Sequence, residues 1–189
     1  IGSRFLRAGP AYGGSCFPKD TKGLVSTGDK FNVDLSIVKA VVKSNNNRIS
    51  LHMKRIDQIL GNSFKNKKIA FLGVTFKPNT DDMRDSTSLR MIPHVVKKGA
   101  KVSYYDPTGI KNNFKKIKNC LFNNTIEDSC KGADLIILHT EWDEFKSLNF
   151  RKLSKNKNLK VYDLRNLYSL SDMLKKKIKY YSVGRPDIN

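Results

Sequence analysis

From Lys67 to its end the chain repeats one unit: a short apolar run, a turn, then a helical stretch. Lys67–Leu72 reads KKIAFL and stops at Gly73. Lys101–Asp106 reads KVSYYD, Leu135–His139 reads LIILH, Lys160–Asp163 reads KVYD, and Tyr180–Val183 closes the series. A strand wet on one face alternates apolar with polar residues. LIILH does not alternate, so it must be covered on both faces, as strands of a parallel sheet are. Ser86 to Lys98 reads as one covering helix in spite of Pro93, with Gly99 closing it. The pattern predicts an α/β fold: a Rossmann-like, doubly wound parallel sheet over residues 65–189. Such sheets take ligands at the carboxyl ends of their strands. No GxGxxG fingerprint occurs anywhere in the chain, and no internal repeat.

Ahead of the sheet the period changes to that of a helix. Val38, Val42, Ile49, Met53, Ile56 and Leu60 follow one another at spacings of 4, 7, 4, 3 and 4. That is one apolar stripe on a helix from Leu35 to Leu60, ended by Gly61-Asn62-Ser63. At 1.5 Å per residue it runs to about 40 Å, longer than a small domain buries. It is expected to join two domains or to pack against a second copy of itself, forming a homodimer. A shorter helix is expected from Asp20, as N-cap, to about Lys30. Residues 1–20 read as loop, 21–64 as a helical dimerisation segment and 65–189 as the sheet domain. The chain begins IGSRFLRAGP without an initiator Met, and is expected to be part of a longer protein.

The formal charge of +19 raises a nucleic-acid partner. Yet it is spread along the chain, at +7 over residues 1–66 and +12 over 67–189, and it rests on 27 Lys against 9 Arg. Base and phosphate readers lean on Arg. No Arg-rich or aromatic-interleaved stripe is present, so no nucleic acid is expected. No apolar run approaches the ~18 residues that cross a membrane, and no membrane partner is expected. Three cysteines without a CxxC pair argue against a zinc ribbon and a disulfide framework, and no metal is expected. They fit a reducing, cytoplasmic setting.

One of those cysteines stands in unusual company. Ala11–Asp20 reads AYGGSCFPKD, a thiol in a glycine-rich turn immediately before a helix. Cationic neighbours and helix amides favour thiolate chemistry. Gly13 and Gly14 lack a Cβ, so the backbone there allows close approach of a substrate. Asp20 either caps the helix or orients a water. A cysteine hydrolase would need a His beside Cys16, and nothing local supplies one. His52, His94, His139, Trp142, Cys120, Cys130 and the run Lys175-Lys176-Lys177 read as ordinary packing or surface.

GGSCFPKD resembles the nucleophile loop of the nucleotide-sugar dehydrogenases, the UDP-glucose/GDP-mannose dehydrogenase family. The preceding IGSRFLRAGPAYGG resembles that family's sugar-nucleotide loop. Phe71–Ser88, FLGVTFKPNTDDMRDSTS, resembles the start of its UDP-binding domain. With the linking helix, the resemblance spans essentially the whole chain. It implies a further NAD-binding half upstream of Ile1, carrying the glycine fingerprint and catalytic Lys, Asn, Glu and Thr. It implies oxidation of a sugar-nucleotide alcohol to a carboxylate with two NAD, through a thiohemiacetal and a thioester on Cys16. Asp20 would then serve the hydrolytic water. Phe5, Leu6, Arg7, Ala8, Gly9 and Gly13 would lie along the sugar nucleotide, largely through backbone groups. Lys77 would contact it too, with Arg165 as a further candidate for the uridine pocket. Lys19 and Arg84 would face NAD, although Arg84 could equally pair with Asp81, Asp82 or Asp85. Ser15 and Phe17 resemble the members that convert UDP-glucose to UDP-glucuronate. The GDP-mannose members typically carry Leu after the Cys, and the UDP-N-acetylhexosamine members, the alternative considered, commonly carry His before it.

Overall fold

A computed structural model describes residues 2–189; Ile1, the first residue of the expected loop segment, lies outside them. After a 3-10 turn over Ser3–Leu6 and an irregular loop come two helices, α1 (Phe17–Lys30) and α2 (Ser36–Ile59). The rest is a sheet with its crossings: β1 (Lys68–Leu72), α3 (Ser88–Lys97), β2 (Lys101–Tyr105), β3 (Cys120–Phe122), α4 (Ile126–Cys130), β4 (Leu135–Leu138), α5 (Phe150–Ser154), β5 (Lys160–Asp163), α6 (Leu170–Lys175) and β6 (Lys179–Ser182). The six strands are parallel and ordered β3-β2-β1-β4-β5-β6. The order reverses between β1 and β4. That reversal opens a crevice above the carboxyl ends of those two strands, because their outgoing chains leave for opposite faces.

The unbroken apolar runs are explained by a core on each face. Ile69, Phe71, Leu135 and Ile137 pack with Met91, Ile92 and Val95 of α3 and with Ile56 and Ile59 of α2. Their neighbours in the same strands, Ala70, Leu72, Ile136 and Leu138, pack on the other face with Cys130, Phe150 and Met173 of α4, α5 and α6. β1 and β4 therefore divide their side chains between two cores, with a period of two.

Only the second half of α2 sits on the sheet. Its 24 residues span about 36 Å; Ile49, His52, Ile56 and Ile59 are buried, while Ile37 and Val41 near its start are exposed. Fastenings hold the docked half: His52 Nδ1 and the Tyr162 hydroxyl lie 2.6 Å apart, the Lys160 ammonium meets the Ile59 carbonyl, and Arg55 pairs with Asp187. Asp57 in turn receives His94 and Lys98 from α3 and its end.

Three expectations need correction. Five strands were expected and six are present. The sixth, β3, lies at the sheet edge; its apolar run is only Cys120-Leu121-Phe122 between Asn119 and Asn123, too short to read as a strand. The first helix begins at Phe17, not after Asp20. Pro18 occupies the first turn, where its fixed φ suits a helix and its missing N–H costs nothing. Cys16 is therefore the N-cap, and Asp20 lies inside the first turn with its N–H donated to the Cys16 carbonyl at 2.8 Å.

Candidate functional site

The loops after β1, β4 and β5 rise at the reversal of strand order and meet the loop that leads into α1. Between them lies a cleft of about 940 Å³. The amino-terminal loop contributes Phe5, Arg7, Ala8, Gly9, Tyr12 and Gly13; the loop after β1 contributes Phe76, Lys77, Pro78 and Asn79. Glu141 comes from beyond β4 and Arg165 from beyond β5, while α2 adds Asn45 and Arg48. Seven of the eight sequence-predicted substrate residues thus line one cavity; Leu6, whose side chain is mostly exposed, does not.

Arg165 is the most constrained of them. Burial against this cleft pushes its guanidinium below its ordinary value, with Glu141 and Asp163 opposing that shift. Its Nε donates to the His139 carbonyl at 2.9 Å and Nη2 to the Phe76 carbonyl at 2.9 Å, so one side chain ties the loops after β1, β4 and β5 together. Glu141 Oε2 lies 2.8 Å from the same Nε, an ion pair without a well-aligned hydrogen bond. The remaining nitrogen, Nη1, faces Gly9. A Cβ on Gly9 would stand 2.8 Å from it, so glycine there lets the amino-terminal loop close over the guanidinium. Asp163 sets the turn that presents Arg165 by accepting from the N–H groups of Arg165 and Leu167 and from the Tyr180 hydroxyl.

The amino-terminal loop is held from beneath. Tyr12 N–H donates to Asn45 Oδ1 at 2.9 Å, Asn45 Nδ2 donates to the Tyr12 carbonyl at 3.1 Å, and Arg48 Nη2 donates to the Gly9 carbonyl at 2.9 Å. Gly14 N–H then donates to the Arg84 carbonyl at 2.9 Å. A Cβ on Gly13 would come within 2.6 Å of the Asp85 carbonyl oxygen, a contact that only glycine avoids. Phe17 packs edge-on against Tyr12 and Phe5, with ring centroids 4.6 and 5.9 Å away, so the start of α1 is seated on the same loop.

Cys16 is exposed at the helix start, its sulfur 3.5 Å from the Ser15 hydroxyl. It does not line the cleft, although its neighbours Gly13 and Phe17 do. Lys19 and Asp20 form an exposed ion pair at 3.3 Å. Arg84 carries an exposed guanidinium within electrostatic reach of Cys16 and grips Asp82, with Nη2 2.9 Å from Oδ2. The expected surface pairing of Arg84 is thus present, with Asp82. Burial pushes the Cys120 and Cys130 thiols up to about 12. Among the described residues no His hydrogen-bonds Cys16. His139 is fully buried between Thr87 and Thr140, and His52 is buried against Tyr162.

Sequence reasoning missed Asn45, Arg48, Tyr12 and Glu141. One signal for Asn45 was present: the gap of seven between Val42 and Ile49 in the helical stripe. A polar residue filling an inward position has to find a partner, and Asn45 finds the Tyr12 backbone. The buried carboxylate of Asp106, at the end of β2, accepts from the Val74 N–H at 2.8 Å and the Thr108 N–H at 3.0 Å and so fixes the loops after β1 and β2 to each other. Among the described residues no cluster of His, Cys, Asp and Glu could hold a metal, and no helix is long and apolar enough to cross a membrane.

Comparison with known proteins agrees with this geometry. Residues 70–170 match the UDP-binding domain of the UDP-glucose/GDP-mannose dehydrogenase family, and residues 1–47 match that family's central domain. The chain is 42% identical over 188 residues to the UDP-glucose 6-dehydrogenase of Rhizobium meliloti, covering 99% of this chain and 43% of that protein. It is 37% identical to the UDP-glucose 6-dehydrogenase of Bacillus subtilis, covering 98% and 42%. The chain therefore spans under half the length of the curated relatives it matches. The solved UDP-glucose dehydrogenase of Pyrobaculum islandicum superposes with a TM-score of 0.79 at 25% identity, over 96% of this chain and 40% of that one. The NDP-N-acetyl-D-galactosaminuronic acid dehydrogenase of Methanosarcina mazei superposes with a TM-score of 0.78 at 26% identity, over 94% and 39%. By its motifs, its sheet order and these matches, the chain belongs to the UDP-glucose/GDP-mannose dehydrogenase family.

Proposed function

We propose that this chain is the central-helix and UDP-binding part of an NAD-dependent UDP-glucose 6-dehydrogenase, which oxidises UDP-glucose to UDP-glucuronate. One observation carries the reading: Arg7, Lys77 and Arg165 line one cleft with the loop that ends in the Cys16 thiol. Arg7, Arg48, Lys77 and Arg165 outnumber the one acid in the lining, Glu141. That balance suits a diphosphate, and its walls suit the sugar and base on either side. Ser15 and Phe17 around Cys16 favour glucose as the sugar. We assign residues 1–20, the amino-terminal loop with the first turn of α1, to the substrate side, 21–64 to assembly and 65–189 to UDP binding.

The Cys16 sulfur would add to the aldehyde carbon of the half-oxidised sugar. A C–S bond forms, the carbonyl electron pair moves to oxygen and takes a proton, and a thiohemiacetal results. NAD, when bound, supplies the hydride acceptor for both oxidations. The exposed cations of Lys19 and Arg84 beside Cys16 are the residues here fitted to hold its phosphates. Asp20, one turn into α1, would orient the water that releases the carboxylate. A homodimer through α2 is supported by the exposed Ile37, Val41 and Leu51 along that helix. Three free thiols fit a cytoplasmic setting.

Alkylation of Cys16 tests the reading. Iodoacetamide should modify Cys16 first, with the less exposed Cys120 and buried Cys130 as internal controls, and saturating UDP-glucose should slow Cys16 modification several-fold while glucose does not. Equal Cys16 rates with and without millimolar UDP-glucose would refute it.

A further inference from the structure

We propose that Asn45 is a positioning residue, and that through it the central helix sets where the Cys16 loop stands over the cleft. A primary amide carries a donor and an acceptor side by side, as a peptide group does. Asn45 uses both on the N–H and carbonyl of Tyr12, at 2.9 and 3.1 Å, so it pairs with the loop as a neighbouring strand would. Arg48, three residues on and on the same helix face, takes the Gly9 carbonyl at 2.9 Å. One face of α2 thus grips the loop on both sides of Pro10 and Ala11.

The grip matters because of what lies at each end of α2. Toward its carboxyl end the helix is fastened to the sheet through His52, Arg55 and the Ile59 carbonyl. The sheet carries Lys77 and Arg165. Toward its middle it holds Tyr12, and four residues later Cys16 caps α1. The helix is therefore a rod between the groups that line the cleft floor and the loop that carries the thiol. Phe17 closes the circuit by packing on Tyr12. Neither Asn45 nor Arg48 belongs to the motifs around Cys16 and Lys77; both belong to the helix.

This inference rests on the sugar-nucleotide reading of the cleft, so its test has one arm with ligand and one without. In the 189-residue chain, Asn45→Ala and Asn45→Asp are compared with the wild type after circular dichroism has shown the same helix content. Without ligand, backbone hydrogen exchange at Tyr12 and Gly14 should accelerate at least tenfold in Asn45→Ala. Asn45→Asp keeps the acceptor for the Tyr12 N–H and should recover most of the protection at that amide. With UDP, measured by calorimetry, Asn45→Ala should bind about tenfold more weakly, the equivalent of ~1.4 kcal/mol. UDP should also protect Cys16 from iodoacetamide far less in that variant than in the wild type, a coupling that a uniformly loosened fold would not single out. If Asn45→Ala fails to fold, the Asn45→Asp chain decides, with UDP affinity and Cys16 protection between wild type and none. Unchanged exchange at Tyr12 and Gly14 together with unchanged Cys16 protection in a folded variant would overturn the proposal. A wild-type chain that binds no UDP would instead refute the reading of the cleft, and the exchange arm would still decide the role of Asn45.

Discussion

His52 carries a pH dependence that its surroundings dictate. Burial lowers its pKa to about 4, with the nearby Arg48 charge adding to the shift and the Pro10 backbone opposing it. The folded state therefore keeps the imidazole neutral, whereas the unfolded chain protonates it near 6.5. The stability this contributes is complete above about pH 6.5 and is lost as pH falls toward 4. Between pH 7.5 and 4.5 the loss is about 2–3 kcal/mol. His139, buried and lowered in the same direction, adds to it. Replacing His52 by Gln keeps a partner for the Tyr162 hydroxyl and removes the titration. Urea unfolding at the two pH values should show the gap between wild type and His52→Gln changing by about that amount; a gap independent of pH would contradict the assignment.

At the scale of elements, α2 decides how the parts are arranged. Its stripe was legible as a helix to within a residue at each end, because a 3.6-residue period survives over so many turns. What its polar residues do was not legible. Asn45, Arg48 and His52 find partners 33, 39 and 110 positions away, and no local pattern encodes such distances. The exposed apolar residues along the helix give a separate expectation. Ile37 is 79% and Leu51 60% exposed, on a helix already packed against α1 and the sheet. A second copy meeting this face would cover both. Sedimentation equilibrium should show self-association of the chain at high concentration, weakened by Ile37→Asp with no change in helix content. A monomer at every concentration would argue against α2 as the contact.

Across the whole molecule, what could be read from the sequence and what could not divide along a physical line. The parallel sheet was legible because burial on both faces removes polar residues from the strands; β3 was not, because its three apolar residues at the sheet edge make too short a run to stand out from a loop. Cys16, Lys77 and Arg165 were legible through resemblance and through their places at a helix start and at strand ends. That Arg165 would be buried and shared among three loops depends on the sheet order, which local sequence does not state. In the proposed reading these separate segments form one sugar-nucleotide cleft, with the thiol beside it but not needed for binding. Calorimetric titration of UDP-glucose into the wild type, Lys77→Ala and Cys16→Ser decides between this arrangement and its alternatives. Loss of one charge-assisted contact costs on the order of 1.5–3 kcal/mol, so Lys77→Ala should bind roughly ten- to a hundredfold more weakly, and Cys16→Ser should bind as the wild type does. Wild-type affinity in Lys77→Ala, or binding abolished in Cys16→Ser, would contradict it.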